Sequence, residues 1–135
     1  MADLTKTHAA VLNLLRAQTG LTTYDGEPPA NVPTDGTGRA VPYALVFPAP
    51  DSRDPLTASM SGADGMRSVT FQVTAAAGWP MTALRACELV DIALLGQYIG
   101  AAGPIQKDSA GAVSPDRSVT PVRWWAPLLY RIELP

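Results

Sequence analysis

The residues that could carry chemistry are few. The chain has one histidine, His8, and one cysteine, Cys87. A Ser-His-Asp or Cys-His site would have to use His8, which lies beside two alanines near the start of a predicted helix with no nucleophile close by. Cys87 falls inside a second predicted helix, where a free thiol usually packs as a small apolar group. One His and one Cys also cannot complete a zinc site without several carboxylates. The sequence therefore predicts no catalytic residue, no metal ligand and no cofactor.

Carboxylates are more numerous, and paired carboxylates could serve glycoside hydrolysis. They cluster in two segments rich in proline and glycine, namely Asp25, Glu27 and Asp35 in the first and Asp51 and Asp54 in the second. Aspartate is favoured in such segments because it caps turns. The glycine-rich stretch 35–39 lacks the Gly-Lys-Ser/Thr ending of a phosphate-binding loop. Neither 35–38 nor 62–65 has the alternating ligands of a calcium loop. The carboxylates are interpreted as turn residues.

The adjacent pair Trp124 and Trp125 is the most distinctive local feature. Neighbouring residues of a strand point to opposite faces, so one indole is expected in the core and the other on the surface. Arg123 precedes the pair and Arg117 lies close by. An exposed Trp beside Arg can stack on nucleic-acid bases or anchor a protein contact. No segment collects basic residues and the net charge is −2, which favours the protein contact. We predict that Arg117, Arg123, Trp124 and Trp125 belong to an interface.

Length and composition limit the class of protein. With 135 residues, the chain fits a single domain over 1–135. Charged residues make up 16%, below the usual quarter, which favours a surface partly covered by a partner. A single cysteine excludes an internal disulfide and fits a reducing compartment. The sequence shows no secretory signal and no apolar run of about 20 residues that could span a bilayer. We expect the protein to fold in a cytoplasm.

The periodicity of the apolar residues predicts the elements that must position these side chains. The spacing predicts a helix over residues 3–18, with His8, Val11, Leu12 and Leu15 on one stripe. A second helix is predicted over 80–95, with Leu84, Cys87, Leu94 and Leu95 on a stripe that Asp91 interrupts. Strands are predicted at 21–24, 43–47, 56–61, 66–77 and 119–134. Polar loops are predicted at 27–42, 49–55 and 97–118, with at most a short strand in the last of these, near Ile105.

For two of these strands the sequence also predicts a position in the sheet. The continuous apolar run 43–47 predicts a strand buried on both faces, hence central in a sheet. The last strand alternates and is expected at an edge or half exposed, with Pro127 bounding its start. The element order α-β-β-β-β-α-β predicts an α+β fold: a mainly antiparallel sheet of four to five strands with two helices packed on one face.

Four segments give the chain a family resemblance by their order and spacing. They are Leu-Thr-Thr-Tyr-Asp-Gly at 21–26, Val-Pro-Tyr-Ala-Leu-Val-Phe-Pro at 41–48, Ser-Val-Thr-Phe-Gln-Val-Thr at 68–74 and Val-Thr-Pro-Val-Arg-Trp-Trp-Ala-Pro-Leu at 119–128. Together with the helices before and between them, they resemble the tail terminator family of siphophages, especially the actinobacteriophage type. The resemblance covers nearly the full chain.

The resemblance implies a structural virion protein rather than an enzyme. Such proteins form a ring, usually a homohexamer, that caps the head-proximal end of the tail tube, stops tube polymerisation and offers a joining surface to the neck. The implied partners are further copies of the chain, the tail tube protein and a head–tail connector or neck protein, with the genome passing through the ring lumen. The implied location is the virion, after assembly in the host cytoplasm. Two alternatives stay open: another connector, such as a stopper or neck protein, and a small hydrolase or ligand-binding domain.

Overall fold

A computed structural model describes residues 4–48, 51–53 and 67–134. The predicted strand at 56–61 lies outside these residues. The described residues form two helices and seven strands in this order: α1 (Leu4–Arg16), β1 (Thr22–Asp25), β2 (Tyr43–Phe47), β3 (Asp51–Arg53), β4 (Arg67–Ala77), α2 (Pro80–Leu94), β5 (Gln106–Ala110), β6 (Ser114–Asp116) and β7 (Arg123–Leu134).

The strands form one mixed, mostly antiparallel sheet in the order β1-β2-β4-β7-β5. Only the β1–β2 pair is parallel among the described pairs. Because β7 occupies one side of β4, the strands β2 and β3 share its other side. In the same way β5 and β6 share the outer side of β7. The sheet is thus five strands wide, and the predicted α+β fold is confirmed.

Both helices pack on one face of the sheet and enclose the main core. Alternate residues of β4 and β7 point into this core, as the period of two predicts. Among its buried side chains are Val11 and Leu15 from α1, Val90 and Leu94 from α2, Val69, Phe71 and Val73 from β4, and Leu128, Tyr130 and Ile132 from β7. The rings of Phe71 and Tyr130 stack with centroids 5.7 Å apart. The predicted placement of two helices on one face is confirmed.

Strand β7 is central, so the prediction of an edge strand was wrong, whereas buried and partly exposed residues alternate along it as the half-exposed alternative requires. It pairs with β4 on one side and with β5 and β6 on the other. Pro127 lies inside it, opposite Thr74, and does not bound its start. In an antiparallel pair the N–H and C=O of one residue point to the same neighbour. The Pro127 carbonyl accepts a bond from Gly111 N–H (2.9 Å), so the missing proline donor faces the interruption between β5 and β6.

The predicted polar loops contain more structure than expected. The segment 97–118 contains two short strands: β5 follows directly on Ile105, where a short strand was allowed, and β6 was not expected. Strand β3 falls in the predicted loop 49–55. Every residue of β5 is exposed, so its sequence lacks the apolar alternation that identifies a strand. Backbone pairing with β7 holds it in place instead. Strand β2 lies between β1 and β4, which confirms its predicted central position, although Phe47 at its end is exposed.

The segment 27–42 is fastened to the sheet through Arg39. Its guanidinium donates hydrogen bonds to the carbonyls of Gly78 (3.3 Å) and Val122 (3.4 Å). The same group lies 4.1 Å from the centre of the Trp79 ring, a cation–π distance. Ala40 from this segment packs with Tyr43 and Ala76 in a small second core on the helix-free face of the sheet. The segment therefore covers one end of that face.

A polar trio links α2 to β5 and β7. The Tyr130 hydroxyl donates to Asp91 Oδ1 (2.5 Å), and Lys107 Nζ donates to Asp91 Oδ2 (3.0 Å). Burial, together with the hydrogen bond to Asp91, raises the pKa of Tyr130 above its ordinary value, so the phenol stays protonated. This contact explains the carboxylate that interrupts the apolar stripe of the second predicted helix.

Candidate interaction surfaces

The four predicted interface residues gather at one end of the sheet, around the start of β7. Arg117 is exposed on the turn that joins β6 to β7. Trp125 lies opposite Ala76 of β4 and Trp124 opposite Ala77. The Trp125 side chain is on the helix-free face and is 36% exposed, whereas Trp124 is half buried on the other face. One indole thus lies at the surface, in line with the alternation of the strand, but Trp124 is only half buried and is not part of either core cluster.

Arg123 is held within its own subunit. Its Nη1 donates to the Tyr43 hydroxyl (2.9 Å) and its Nη2 to Asp116 Oδ2 (3.3 Å). Asp116 also accepts bonds from Ser118, and these bonds, followed by the Arg123 guanidinium, lower the pKa of that carboxyl. Burial raises the pKa of Tyr43 even though Arg123 acts in the opposite direction. Arg123 therefore ties β2, β6 and β7 together, and its capacity for outside partners is reduced.

A depression of about 190 Å³ lies beside Trp125 on the helix-free face. Its lining includes Tyr43, Leu45, Asp116 and Arg123. An indole at the rim of a concave, partly apolar surface with a fixed guanidinium has the composition of an interface hot spot. We call Trp125, Arg117 and this depression the tryptophan surface.

A second surface, which the sequence interpretation missed, is the outward side of α2. Four large apolar side chains on it are exposed: Met81 by 77%, Leu84 by 47%, Ile92 by 58% and Leu95 by 41%. Leu84 and Leu95 were assigned to the buried stripe, and that assignment was wrong. Residues that do face the sheet include Ala83, Ala86, Leu89, Val90 and Ala93. The small alanines let the helix lie close to the strands, and the larger side chains remain outside.

Helix α1 provides an internal comparison. Its outward residues are mostly polar and include Lys6, Asn13 and Arg16, as expected of a helix that covers a core with one face. The outer side of α2 carries the exposed ion pair Arg85 and Glu88 beside its four exposed apolar side chains. It is therefore less polar than the outer side of α1, and exposed apolar side chains grouped in this way are typical of an interaction surface.

The single histidine and the single cysteine both make contacts within the fold. His8 Nε2 lies 2.8 Å from Asp25 Oδ1 and joins α1 to β1. Cys87 is buried in the core, and burial raises the pKa of its thiol, which disfavours the reactive thiolate. Asp35 accepts bonds from the side chain and backbone of Thr37, which lower the pKa of its carboxyl. These are turn and tether contacts of the kind that Asp commonly makes in loops.

No group of three or more His, Cys, Asp or Glu side chains converges as a metal site among the residues that the structure describes. Asp54 and the stretch 62–65 lie outside those residues. Within the same described part of the chain, neither helix is long and apolar enough to cross a membrane. No protein-family model matches the sequence, and no curated protein matches it.

Proposed function

We propose that this protein is a structural assembly protein that acts as a phage tail terminator. In this proposal it forms a ring, six-fold as the family resemblance implies, on the head-proximal end of the tail tube, stops tube polymerisation and presents a surface to the neck. The motif order along the chain supports this family, with the runs around 43–47, 68–74 and 119–128 in the positions the resemblance requires. Those runs form β2, the middle of β4 and the start of β7, so they build the centre of the sheet.

The observation that carries the proposal is that apolar side chains are exposed on opposite sides of the domain. The tryptophan surface lies on the helix-free face of the sheet. The outer side of α2 faces away from the sheet, since the other side of this helix packs on it. A subunit of a capping ring must meet neighbours in the ring as well as partners along the tail axis. Two separate apolar surfaces suit such a subunit better than a monomeric enzyme.

Symmetry explains why a ring is the expected form. A tube has rotational symmetry about its axis, and a cap that touches every subunit of the last layer matches that symmetry. Contacts between different patches of identical subunits close into a ring when the rotation per step allows it. The domain has a mass of only 14.2 kDa, so the ring must gain its stability from many weak contacts. Binding at the tube end raises the effective concentration of neighbouring subunits and so favours ring closure.

A capping assay tests this proposal. Purified protein is added to growing tubes of the tail tube protein encoded by the same genome, and tube lengths are measured by electron microscopy. We expect shorter tubes with added density at one end. Replacement of Trp125 by Ala should weaken association by about 2 kcal/mol, or roughly 30-fold, with little change in fold stability.

The matched control is Tyr98→Ala, which removes another exposed aromatic ring (63% exposed). Tyr98 lies near the opposite end of the sheet, close to Gly103, whose N–H donates to the Glu133 carbonyl. This variant should cap as well as the original protein. Tubes of unchanged length and bare ends with the unmodified protein would count against the proposal.

A further inference from the structure

A small hairpin precedes β2 and is held together by its own hydrogen bonds. Thr34 and Ala40 form an antiparallel bridge, and next to it the Asp35 N–H donates to the Arg39 carbonyl (2.8 Å). The Asp35 carboxylate accepts further bonds from within the turn. We call residues 33–41 the strap hairpin. Because these bonds lie inside the strap hairpin, they are kept when it moves as one body.

The strap hairpin is fastened to the sheet around Gly78. The Gly78 N–H donates to the Ala40 carbonyl (2.9 Å). The Arg39 guanidinium makes two longer bonds, to the carbonyls of Gly78 (3.3 Å) and Val122 (3.4 Å), and lies over the Trp79 ring. Trp79 is 44% exposed, and a cation–π contact at an exposed site is weaker than a desolvated one. Among the described residues the fastening is thus centred on Arg39 and Gly78.

The strap hairpin is not closely packed on the residues beside it. A depression of about 500 Å³ lies between it and residues 119–121, with Arg123 also in the lining. Its buried apolar contact is Ala40, which packs with Tyr43 and Ala76. Close packing in protein interiors leaves few voids larger than a water molecule. The strap hairpin therefore has room to move without disturbing the main core, which lies on the other face of the sheet.

The strap hairpin covers an aromatic ring that continues the tryptophan surface. Tyr43, only 2% exposed, lies opposite Ala76 of β4, and Ala76 lies opposite Trp125 of β7. Tyr43 and Trp125 therefore line the same depression. The Tyr43 hydroxyl is held by Arg123, and its ring meets the Tyr24 ring edge-on with centroids 6.1 Å apart. Because neither contact involves the strap hairpin, the Tyr43 ring stays in place when the hairpin leaves.

We propose that the strap hairpin is an autoinhibitory flap: in the free subunit it covers Tyr43, and its displacement enlarges the tryptophan surface for a binding partner. The inference rests on the proposed function, in which this surface makes the capping contacts. Tyr and Trp are enriched among the residues that dominate binding energy, so a partner binds the open form better and shifts the population towards it. The affinity of the free subunit is reduced by the fraction that is open. Stable binding then needs the many simultaneous contacts that a tube end offers.

Native-state hydrogen exchange of the free protein tests the opening alone. The Gly78 N–H should exchange faster than the N–H of Val73, which lies between two paired strands, because the flap opens without unfolding the sheet. Arg39→Ala removes the guanidinium contacts and should speed exchange at Gly78 by about threefold to tenfold. Arg16→Ala removes an exposed guanidinium from α1 and is the control, which should leave this rate unchanged. A Gly78 N–H that exchanges as slowly as Val73, or that Arg39→Ala does not accelerate, overturns the inference.

The capping assay tests the inhibitory role. Arg39→Ala and Gly78→Ala open the flap by different routes, and neither removes a side chain of the tryptophan surface. Both variants, once circular dichroism has verified that they are folded, should shorten tubes at a protein concentration about threefold to tenfold lower than the original protein requires. Gly36→Ala, at the hairpin turn where a Cβ meets nothing within 4 Å, is the control and should cap like the original.

The two proposals can fail separately. If the original protein caps but Arg39→Ala and Gly78→Ala cap no better, or cap less well, the inhibitory flap alone is refuted, because the strap hairpin then does not compete with the partner. If the original protein leaves tube lengths unchanged while Gly78 exchanges as expected, the proposed function is refuted and the opening of the strap hairpin stands.

Discussion

Replacement of Tyr130 by Ala is expected to lower the free energy of unfolding by about 3–5 kcal/mol, the usual range for removing a large buried aromatic side chain. Tyr130 is 0% exposed and lies at the centre of β7. Its ring stacks on Phe71, and its hydroxyl bonds to the carboxylate of Asp91. The variant loses the packing, opens a cavity and removes one of the contacts between α2 and the sheet.

Urea denaturation followed by circular dichroism measures this loss, and two further variants separate its causes. Tyr130→Phe keeps the ring and removes only the hydroxyl, so a smaller loss of about 1–2 kcal/mol is expected. Tyr98→Ala removes a tyrosine that is 63% exposed and should change stability by no more than about 0.5 kcal/mol. A Tyr130→Ala variant as stable as Tyr98→Ala would contradict the described core.

The second large effect is expected at Gly78, the residue after β4. A Cβ atom at this position would lie 2.5 Å from Cβ of Arg39 and 2.8 Å from the backbone nitrogen of Ala40. Neither contact can be relieved by rotating the far end of a flexible side chain. Gly78→Ala is therefore expected to push the segment 27–42 away from the sheet and to lower stability by about 1–3 kcal/mol, the range for overpacking.

Gly36→Ala is the matched control, because a Cβ there meets nothing within 4 Å. Restricting the unfolded chain at such a site is neutral or slightly stabilising, by at most about 1 kcal/mol. In thermal unfolding, Gly78→Ala should have a lower midpoint temperature than the original protein, whereas Gly36→Ala should have the same midpoint or a slightly higher one. Equal midpoints would mean that the segment 27–42 is not fastened to the sheet as described.

The sequence predicts those parts of the fold in which local pattern and tertiary burial agree. Strand β4 alternates Val69, Phe71 and Val73 with polar residues, and these three apolar side chains are buried. Helix α1 has a single apolar stripe, so only one of its sides can pack against the sheet. In such elements the period of the apolar residues determines both the type of element and the side that is buried.

The missed elements depend on partners that are distant in the chain. Strand β5 has no apolar pattern of its own and exists because β7 offers backbone groups beside it. Pro127 was expected to bound the start of the last strand, but it lies inside β7, where its missing N–H donor faces the interruption between β5 and β6. These arrangements depend on which strands lie side by side in the sheet, and a local sequence pattern does not determine that.

The candidate surfaces were predicted only in part. The alternation rule places one indole of Trp124 and Trp125 outward, and Trp125 is the exposed one. The intramolecular role of Arg123 could not be foreseen, because Tyr43, which it bonds, lies 80 residues away. Of the stripe predicted for the second helix, Cys87 and Leu94 are buried as expected, whereas Leu84 and Leu95 are exposed. The alanine-rich side faces the sheet because small side chains permit the closest approach.

The most direct test of the proposed tail-terminator function is removal of this gene from its parent genome, followed by electron microscopy of the phage particles produced. The account predicts tails of uncontrolled length, or tails that fail to join filled heads, with normal tails restored by a plasmid copy of the gene. Rescue by the plasmid copy also excludes effects of the deletion on neighbouring genes. Infectious particles with tails of normal length in the absence of the protein would contradict the account.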